Sequence, residues 1–296
     1  MKRTIASLLA LLLLTGCNAA PAETTPPVET EASIPTAYPQ KTAAATEYHS
    51  RFDTETRIHL SDDSILISVP EGHKGDAPAT VSRDIIYYED REVYDSGNPY
   101  GEGTAAERHS AEEAAAHQVI NITKPGAYRI TGSLSVGQIR VDLGEDANED
   151  PNAVVELILD NADITCTVAP AILFLNVYEC DEDASEETAT ANVDTTNAGA
   201  NLVLEGNSTV SGSHVAKIFK DKDGEKKLWK QDAAIYSYMS MNIDGTGILS
   251  LTADNEGLGS EMHLTMNGGD IRILSGNDGS TPMKTAFPSP PSAAAI

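Results

Sequence analysis

Short alternations of apolar and polar residues, interrupted by glycine turns, dominate the C-terminal half of the chain. In residues 232–279 one such unit occurs twice in tandem. Most corresponding positions lie 23 residues apart, as in Ile235 with Leu258 and Met241 with Leu264. Asn255 and Asn277, in contrast, lie 22 residues apart. A one-residue slip in the turn between Gly245 and Gly247 reconciles the two spacings.

Each unit predicts two short strands whose alternate side chains are apolar. The apolar pairs are Met241/Ile243 and Leu249/Leu251 in the first unit, and Leu264/Met266 and Ile271/Ile273 in the second. Neither unit can bury its apolar row alone, so the pattern favours stacked coils in which each strand pairs in parallel with its counterpart one coil away. Leucine-rich repeats share the period but have a strongly helical half, which this pattern lacks. We therefore predict an all-β solenoid with coils of about 22–23 residues.

The N-terminus has the pattern of a secretory signal: two basic residues, an apolar run from Ile5 to Leu14, and then Leu14-Thr15-Gly16-Cys17. The run is too short to be a comfortable transmembrane helix. Its last four residues resemble the bacterial lipobox, whose cysteine becomes the lipidated first residue of the mature protein. We predict a lipoprotein signal peptide in residues 1–16 and a lipid on Cys17 that anchors the protein at the cell surface, outside the cytoplasm. An ordinary secretory signal is the alternative.

The rest of the chain divides into a tether and one large domain. Residues 17–57 are rich in Pro, Thr, Ala and Glu and have almost nothing to bury, which predicts a disordered tether. The solenoid is expected over residues 58–279. Loop insertions are expected at about 70–118, which includes a short helix, at 181–199 and at 213–231.

The composition limits the partners of this domain. The formal net charge is −25 at pH 7, with 45 acidic against 20 basic residues. Such a chain repels nucleic acid and suits cations, although solubility at a crowded cell surface explains the charge equally well. We therefore expect no nucleic-acid partner. Cys166 and Cys180 would remain in an oxidising compartment, where either a disulfide or two buried free thiols are expected.

The chain resembles the clostridial-type family of carbohydrate-binding domain-containing lipoproteins over roughly residues 58–279. The phrases that carry the resemblance, in order, are ITKPGAYRITGSLSVGQIRVD, LILDNADI, NLVLEGNSTVSGS and MNIDGTGILSLTADNEGL. The resemblance implies a calcium-containing right-handed parallel β-helix, similar in shape to pectate lyases. It also implies polysaccharide binding, with acidic plant polysaccharide such as polygalacturonate, or cellulose, as the ligand class.

One departure from the family bears on the calcium. The family phrase Ser-Lys-Asp-Asp-Leu is replaced here at residues 237–241 and 260–264 by SYMSM and SEMHL. The acidic positions of that phrase are therefore mostly lost, and a calcium site cannot be carried over to them.

Superposed coils suggest another corner for the metal. They place Asp232, Asn255 and Asn277 in one column and Ala233, Glu256 and Asp278 in the next, with coils about 4.8 Å apart. Glu256 and Asp278 would then be stacked like charges unless a cation lies between them. Candidate calcium ligands are Glu256, Asp278, Asn255 and Asp232. Carboxylates that turn outwards into water are the alternative.

The other departure is at the C-terminus. After Gly279 the family phrase continues approximately as INTNEDGVS, whereas this chain reads STPMKTAFP. A DNA sequence encoding the first phrase encodes the second when it is read one base late. We therefore predict that residues 280–296 are an aberrant, frameshifted tail, with a natural flexible tail as the alternative.

The one basic patch lies in the loop from Ala216 to Lys230. Asp223-Gly224 predicts a hairpin turn, and its arms carry six lysines and the sole tryptophan. Lysines can pair with uronate carboxylates, and an indole ring can stack on a sugar. The candidate ligand-binding residues are Trp229, Lys226, Lys227 and Lys230. A solvated hairpin packed on the solenoid is the alternative.

Catalysis has little support in the sequence. A pectate-lyase mechanism needs calcium and a Lys or Arg base, and no basic residue in the coils is flanked by an evident acidic metal cluster. Those basic residues are Lys124, Arg129, Arg140 and Arg272. His117, His214 and His263 lie far apart and are expected at the polar surface. We predict no catalytic residues and a non-catalytic polysaccharide-binding lipoprotein, with calcium as an expected cofactor. A calcium-dependent polysaccharide lyase and an adhesive solenoid without a glycan ligand are the alternatives.

Overall fold

The structure, a computed structural model, describes residues 48–89, 103–181, 193–219 and 227–286. All of them belong to one compact unit. Several predicted features lie outside the described residues. They are the signal peptide, residues 17–47 of the tether with the lipidation site Cys17, the Asp223-Gly224 turn and Lys226. The same holds for residues 287–296 and for the side chains of residues 218–219, 227–229 and 281–286.

The described chain is all-β, as predicted. Its helical parts are α1 (Ala111–Ala116) and a 3-10 turn (Glu145–Glu149). Helix α1 lies in the predicted helical stretch and begins after Ser110, whose side chain accepts a hydrogen bond from the Glu113 N–H. The main sheet is mixed, because parallel pairs predominate but two antiparallel pairs lie at its edge.

The parallel pairings form three columns of strands. Column A contains β4 (Gln118–Ile122), β6 (Gly137–Asp142), β8 (Ile172–Asn176), β13 (Ala233–Ser237), the start of β16 (Glu256–Met266) and the start of β18 (Ser280–Ala286). Column B contains β1 (Glu55–Leu60), the starts of β5 (Gly126–Leu134) and β7 (Val155–Thr165), β9 (Ala200–Glu205), β14 (Met241–Gly245) and the ends of β16 and β18. Column C contains the ends of β5 and β7, β10 (Asn207–Gly212), β15 (Ile248–Ala253) and β17 (Asp270–Ser275). From β4 onwards the chain passes through A, B and C in turn and then returns to A.

Each column contributes an apolar row to one common core. Members of a row face each other in register across successive strands and are at most 1% exposed. The rows are Ile120, Ile139, Ile172, Ile235 and Leu258 in column A; Tyr128, Leu157, Leu202 and Ile243 in column B; and Leu134, Ile164, Val210 and Leu251 in column C. Burying one such side chain contributes about 1.5–3 kcal/mol, so these rows account for much of the stability of the domain.

The tandem repeat pairs in the predicted register. Ile235 pairs with Leu258, 23 residues later, whereas Leu249 pairs with Ile271, 22 residues later. The slip occurs at the predicted glycine turn, where Gly245 has a φ of +98° and a Cβ would collide with the backbone carbonyl of Leu204. The predicted parallel pairing between the two units is therefore confirmed.

Antiparallel strands cover the N-terminal edge of the sheet. Strand β2 (Leu66–Ser68) pairs with β1, and β3 (Ala79–Ser82) pairs with β4. Both strands occupy edges that would otherwise present unpaired backbone groups. Strand β1 begins at Glu55, and residues 48–54 also pack on the domain, so the domain begins earlier than the predicted boundary at residue 58.

The structure bears on two segments for which the sequence left alternatives open, the predicted hairpin and the C-terminal tail. Strand β11 (Val215–Phe219) pairs antiparallel with β12 (Lys227–Gln231), which confirms the arms of the predicted hairpin. Strand β18 pairs in parallel with β16, so residues 280–286 continue the stack instead of leaving it. The frameshift itself stays a prediction.

Candidate functional site

The outward side of column B, here called the B face, carries a polar groove. Alternate residues of each column B strand point outwards because strand side chains alternate between the two sides of a sheet. Two outward rows cross β1, β5, β7 and β9 in register. The first row is Glu55, Ala127, Glu156 and Asn201. The second, two residues further along each strand, is Arg57, Arg129, Ile158 and Val203. The B face therefore carries a mixture of charged, amide and apolar side chains.

Arg129 is held by carboxylates from three other strands. Its Nε lies 3.0 Å from both carboxylate oxygens of Glu55, and its Nη1 lies 3.0 Å from Oδ2 of Asp160. Glu205 accepts hydrogen bonds from both Nη atoms. The hydrogen bond to Glu205 raises the pKa of Arg129, against the opposing effect of partial burial. Arg129 therefore keeps its proton and acts as a hydrogen-bond donor, not as a base.

The sequence shows no acidic residues close to Arg129. Strands β1, β7 and β9 bring Glu55, Asp160 and Glu205 to it from positions up to 76 residues away in the sequence. The only local hint is that Asp160 and Glu205 each end a buried apolar run.

Residues 48–52, here called the strap, lie across the middle of the B face. Tyr48 and Phe52 pack against an apolar platform of Ala127, Ile158 and Val203. Between them the strap contacts Glu156, which is 0% exposed. Ser50 Oγ donates to Oε2 of Glu156 at 2.5 Å, and the Arg51 backbone N–H donates to Oε1 at 2.9 Å. Burial, together with a hydrogen bond to Glu156, raises the pKa of the Tyr48 hydroxyl.

Three adjoining cavities follow the B face. The largest has a volume of about 640 Å³ and is lined by the Arg129 cluster with Arg57, His59 and Thr131. A second, of about 450 Å³, lies between that cluster and the strap. A third, of about 200 Å³, lies on the other side of Tyr48 and is lined by Asn201, Asn242, Asp244 and Asn267 among others. The three cavities share lining residues and form one interrupted groove.

The predicted ligand-binding hairpin lies beside column A, away from this groove. Lys230 forms an ion pair with Asp232, and the hydroxyl of Tyr238 hydrogen-bonds to the backbone of Lys230. Lys227 and Trp229 belong to β12, and their side chains are not among those described. A ligand role for Trp229 and the three lysines therefore stays a prediction.

Two of the predicted calcium ligands, Asp232 and Asn255, form contacts with other residues. Asp232 is paired with Lys230, and the side-chain amide of Asn255 donates to the backbone carbonyl of Asp232 at 2.9 Å. Asn277 continues this ladder through its backbone N–H, which donates to Asn255. The alignment of Glu256 opposite Ala233 is as predicted. Across the described ranges, no group of three or more His, Cys, Asp and Glu residues could hold a metal ion. The calcium site at Asp232, Asn255, Glu256 and Asp278 stays a prediction.

Cys166 and Cys180 are free thiols, as in the second alternative, with Cys166 buried and Cys180 partly buried. Burial raises the pKa of Cys166 to about 12 and that of Cys180 to about 11. Neither thiol is therefore ionised near neutral pH, and neither is a reactive nucleophile.

The prediction of a polar surface position was wrong for His117 and His263, whereas His214 is partly exposed. His117 and His263 are 1% and 2% exposed, and the ring of His214 lies between two carboxylates. His214 Nδ1 lies 3.1 Å from Asp254, and Nε2 lies 3.1 Å from Glu107. These hydrogen bonds raise the pKa of His214 to about 9. Each histidine occupies a corner between columns that a loop covers, which sequence spacing alone does not reveal.

A second buried polar cluster fixes the corner between columns A and B. Glu179, which is 4% exposed, accepts hydrogen bonds from the backbone N–H and the hydroxyl of Ser240 at 2.6 and 2.7 Å. His263 Nε2 lies 3.0 Å from Oδ2 of Asp181. Both contacts attach the start of the loop after β8 to the turns of later coils, so the cluster has a positioning role.

Comparisons with known proteins agree on one family. The sequence profile of a family described as carbohydrate-binding domain-containing protein matches residues 116–284, more than half of the 296 residues. A relative with the same description, from Acetivibrio thermocellus, is 27% identical over 155 residues, which is 52% of this chain and 44% of the relative. The match thus spans less than half the length of that relative. No solved structure matches significantly. In the part of the chain that the structure describes, no helix is long and apolar enough to cross a membrane.

Proposed function

The chain belongs to the family of carbohydrate-binding domain-containing proteins, and we propose that it binds polysaccharide along the B face without catalysing a reaction. The observation that carries the proposal is the chain of three cavities on one face of a regular stack. An extended polymer needs adjoining subsites in a line. Strands that repeat in register provide such a line.

The lining of the groove favours a neutral polysaccharide. Glu55, Asp160 and Glu205 outnumber the two arginines of the largest cavity. Carboxylates accept hydrogen bonds from sugar hydroxyls, whereas they repel uronate carboxylates. The net charge of −25 adds to that repulsion. Of the two predicted ligands, a cellulose-like polymer is therefore expected to bind directly, and polygalacturonate only when calcium offsets the repulsion.

The proposal extends to the architecture and the location. We propose that the three columns form a right-handed parallel β-helix, which the parallel pairing in successive coils supports. We also propose that the protein is a lipoprotein held at the bacterial cell surface through Cys17, which the lipobox-like Leu14-Thr15-Gly16-Cys17 supports. Such a location would bring the groove to extracellular polysaccharide.

The test is retention on insoluble polymer. The chain from residue 18 onwards, which lacks the predicted lipid site, is mixed with cellulose and with polygalacturonate, each with calcium and with a chelator. Retention on cellulose in all conditions, and on polygalacturonate only with calcium, is the expected result. Failure of a folded sample to be retained on either polymer contradicts the proposal and leaves the adhesive solenoid as the better account.

Matched variants locate the binding surface. Arg57 lines the largest cavity with a side chain that is 72% exposed, so Arg57→Ala is expected to weaken retention without loss of folding. Arg272→Ala, on the outward side of column C, is the control and is expected to retain full binding. A loss caused by Trp229→Ala instead would move the site to the hairpin. Release of unsaturated sugars, seen as ultraviolet absorbance, would indicate the lyase alternative.

A further inference from the structure

The strap donates hydrogen bonds to the carboxylate of Glu156, which lies in the middle of the proposed binding surface. Glu156 is 0% exposed, and the hydrogen bonds that the described residues give its two oxygens come from the strap, namely from the hydroxyl of Ser50 and the N–H of Arg51. A buried carboxylate without such donors is costly. Whatever removes the strap must therefore supply donors of its own.

The chemistry of the strap matches that of a sugar. The Ser50 hydroxyl donates to Glu156, while the rings of Tyr48 and Phe52 lie on the apolar platform of Ala127, Ile158 and Val203. A pyranose offers the same combination, because its hydroxyls donate hydrogen bonds from the ring edge and its C–H groups form an apolar face. Glu156 and the platform thus constitute a site built for a ligand with an apolar face and hydroxyl donors.

The position of the strap supports this assignment. Cavities of about 450 and 200 Å³ adjoin it on either side, and Tyr48 lines both. In the smaller one, Asn242 is 7% exposed, and its Oδ1 has no hydrogen-bond partner among the described residues. A buried acceptor without a donor is unfavourable, so a donor from a ligand would be stabilising there. The strap therefore interrupts a groove that is otherwise prepared for a continuous polymer.

We propose that Glu156 and the platform of Ala127, Ile158 and Val203 form a sugar subsite, and that the strap is an internal ligand mimic that occupies it until polysaccharide displaces it. This inference rests on the proposed function and adds to it the central subsite and its regulation. The apparent affinity of the closed protein is reduced by the fraction of molecules in which the strap is released.

Hydrogen exchange measures the displacement directly. The chain from residue 18 onwards is saturated with cellohexaose, or with hexagalacturonate plus calcium, and exchange is followed in peptides that cover residues 48–54. The N–H groups of Arg51 and Phe52 are hydrogen-bonded to Glu156 and Ser50 in the closed state, so their exchange is expected to become faster when the ligand is bound. Slower or unchanged exchange on saturation overturns the inference, because the ligand then lies over the strap or elsewhere.

Affinity measurements test the same point. Phe52→Ala removes a ring from the platform but no partner of Glu156, and it is expected to raise the affinity for the oligosaccharide about tenfold by releasing the strap. Glu156→Gln in that background is expected to lower the affinity about tenfold. Leu274→Ala, an exposed apolar residue on column C, is the control and is expected to change nothing.

The outcomes separate this inference from the function on which it rests. If the unmodified protein binds and Phe52→Ala binds equally or more weakly, the mimic is excluded while polysaccharide binding stands. If neither form binds although both show the circular dichroism of a folded β protein, the proposed function itself fails for these polymers.

Discussion

The outward sides of columns B and C are built on the same interior and present opposite surfaces. The B face has a covering strap, a buried carboxylate and three cavities. The outward side of column C, here called the C face, is an uncovered ladder whose exposed members in register are Ser133, Asp163, Thr209, Ser250 and Arg272. Short hydroxyl side chains predominate there.

The difference shows which residues determine each property. The inward rows of both columns consist of large apolar side chains that are almost completely buried. The two inward rows therefore have the same chemical character. The outward rows share no such constraint, because strand alternation separates them from the core. Function is therefore expected to depend on the outward residues of column B, and stability on the inward residues of both columns.

The largest expected difference between the two faces concerns their arginines. Arg129→Ala leaves Asp160 and Glu205 without their arginine and leaves Glu55 with only the exposed Arg57, and we expect it to lower the free energy of unfolding by about 2–3 kcal/mol. Arg272→Ala removes only an exposed pair with Asp270 and is expected to cost less than about 0.5 kcal/mol. Urea unfolding of both variants at pH 7 measures the contrast. Equal losses would mean that the Arg129 cluster contributes no more than a surface ion pair.

A smaller effect is expected from His214, at the corner where column C ends. Its pKa is raised from 6.5 to about 9 by Asp254 and Glu107, so the protonated ring stabilises the fold. This contribution is fully present below about pH 6.5 and is lost as the pH rises through about 9. We expect a loss of ~2 kcal/mol, less than the full shift implies because the pairs are partly exposed.

Urea unfolding from pH 6 to pH 10 measures this loss, and His214→Gln is the matched variant. The difference in unfolding free energy between the unmodified protein and the variant is expected to shrink as the pH rises. A difference that stays constant over this range would show that the ring acts by packing and not by charge.

The smallest effect is expected on the C face itself. Thr209→Val and Thr252→Val replace exposed hydroxyls by methyl groups of the same shape in a strand, so stability is expected to change by less than about 0.5 kcal/mol. Retention on polysaccharide is expected to be unchanged in the pull-down described above. Loss of retention in either variant would indicate that polysaccharide binds to the C face and not to the B face.

The repeat in residues 232–279 was sufficient to predict strand register, because pairing between similar units follows directly from their spacing. The B face could not be predicted in the same way. Arg129 meets acids from three other strands, and Glu156 meets a segment more than 100 residues earlier that reads as part of a flexible tether. Contacts between dissimilar segments depend on loop paths, for which a single sequence has no periodic signal.

The position of the strap has a mechanical consequence. It immediately precedes β1, so a pull on the chain from its N-terminal side loads the strap before any strand of the sheet. The few contacts of the strap with Glu156 and the platform are weaker than the continuous ladder between β1 and β5, and they are expected to break first. If the protein is anchored through Cys17 as proposed, tension on the anchor would then expose the middle of the groove while the strands behind it stay paired.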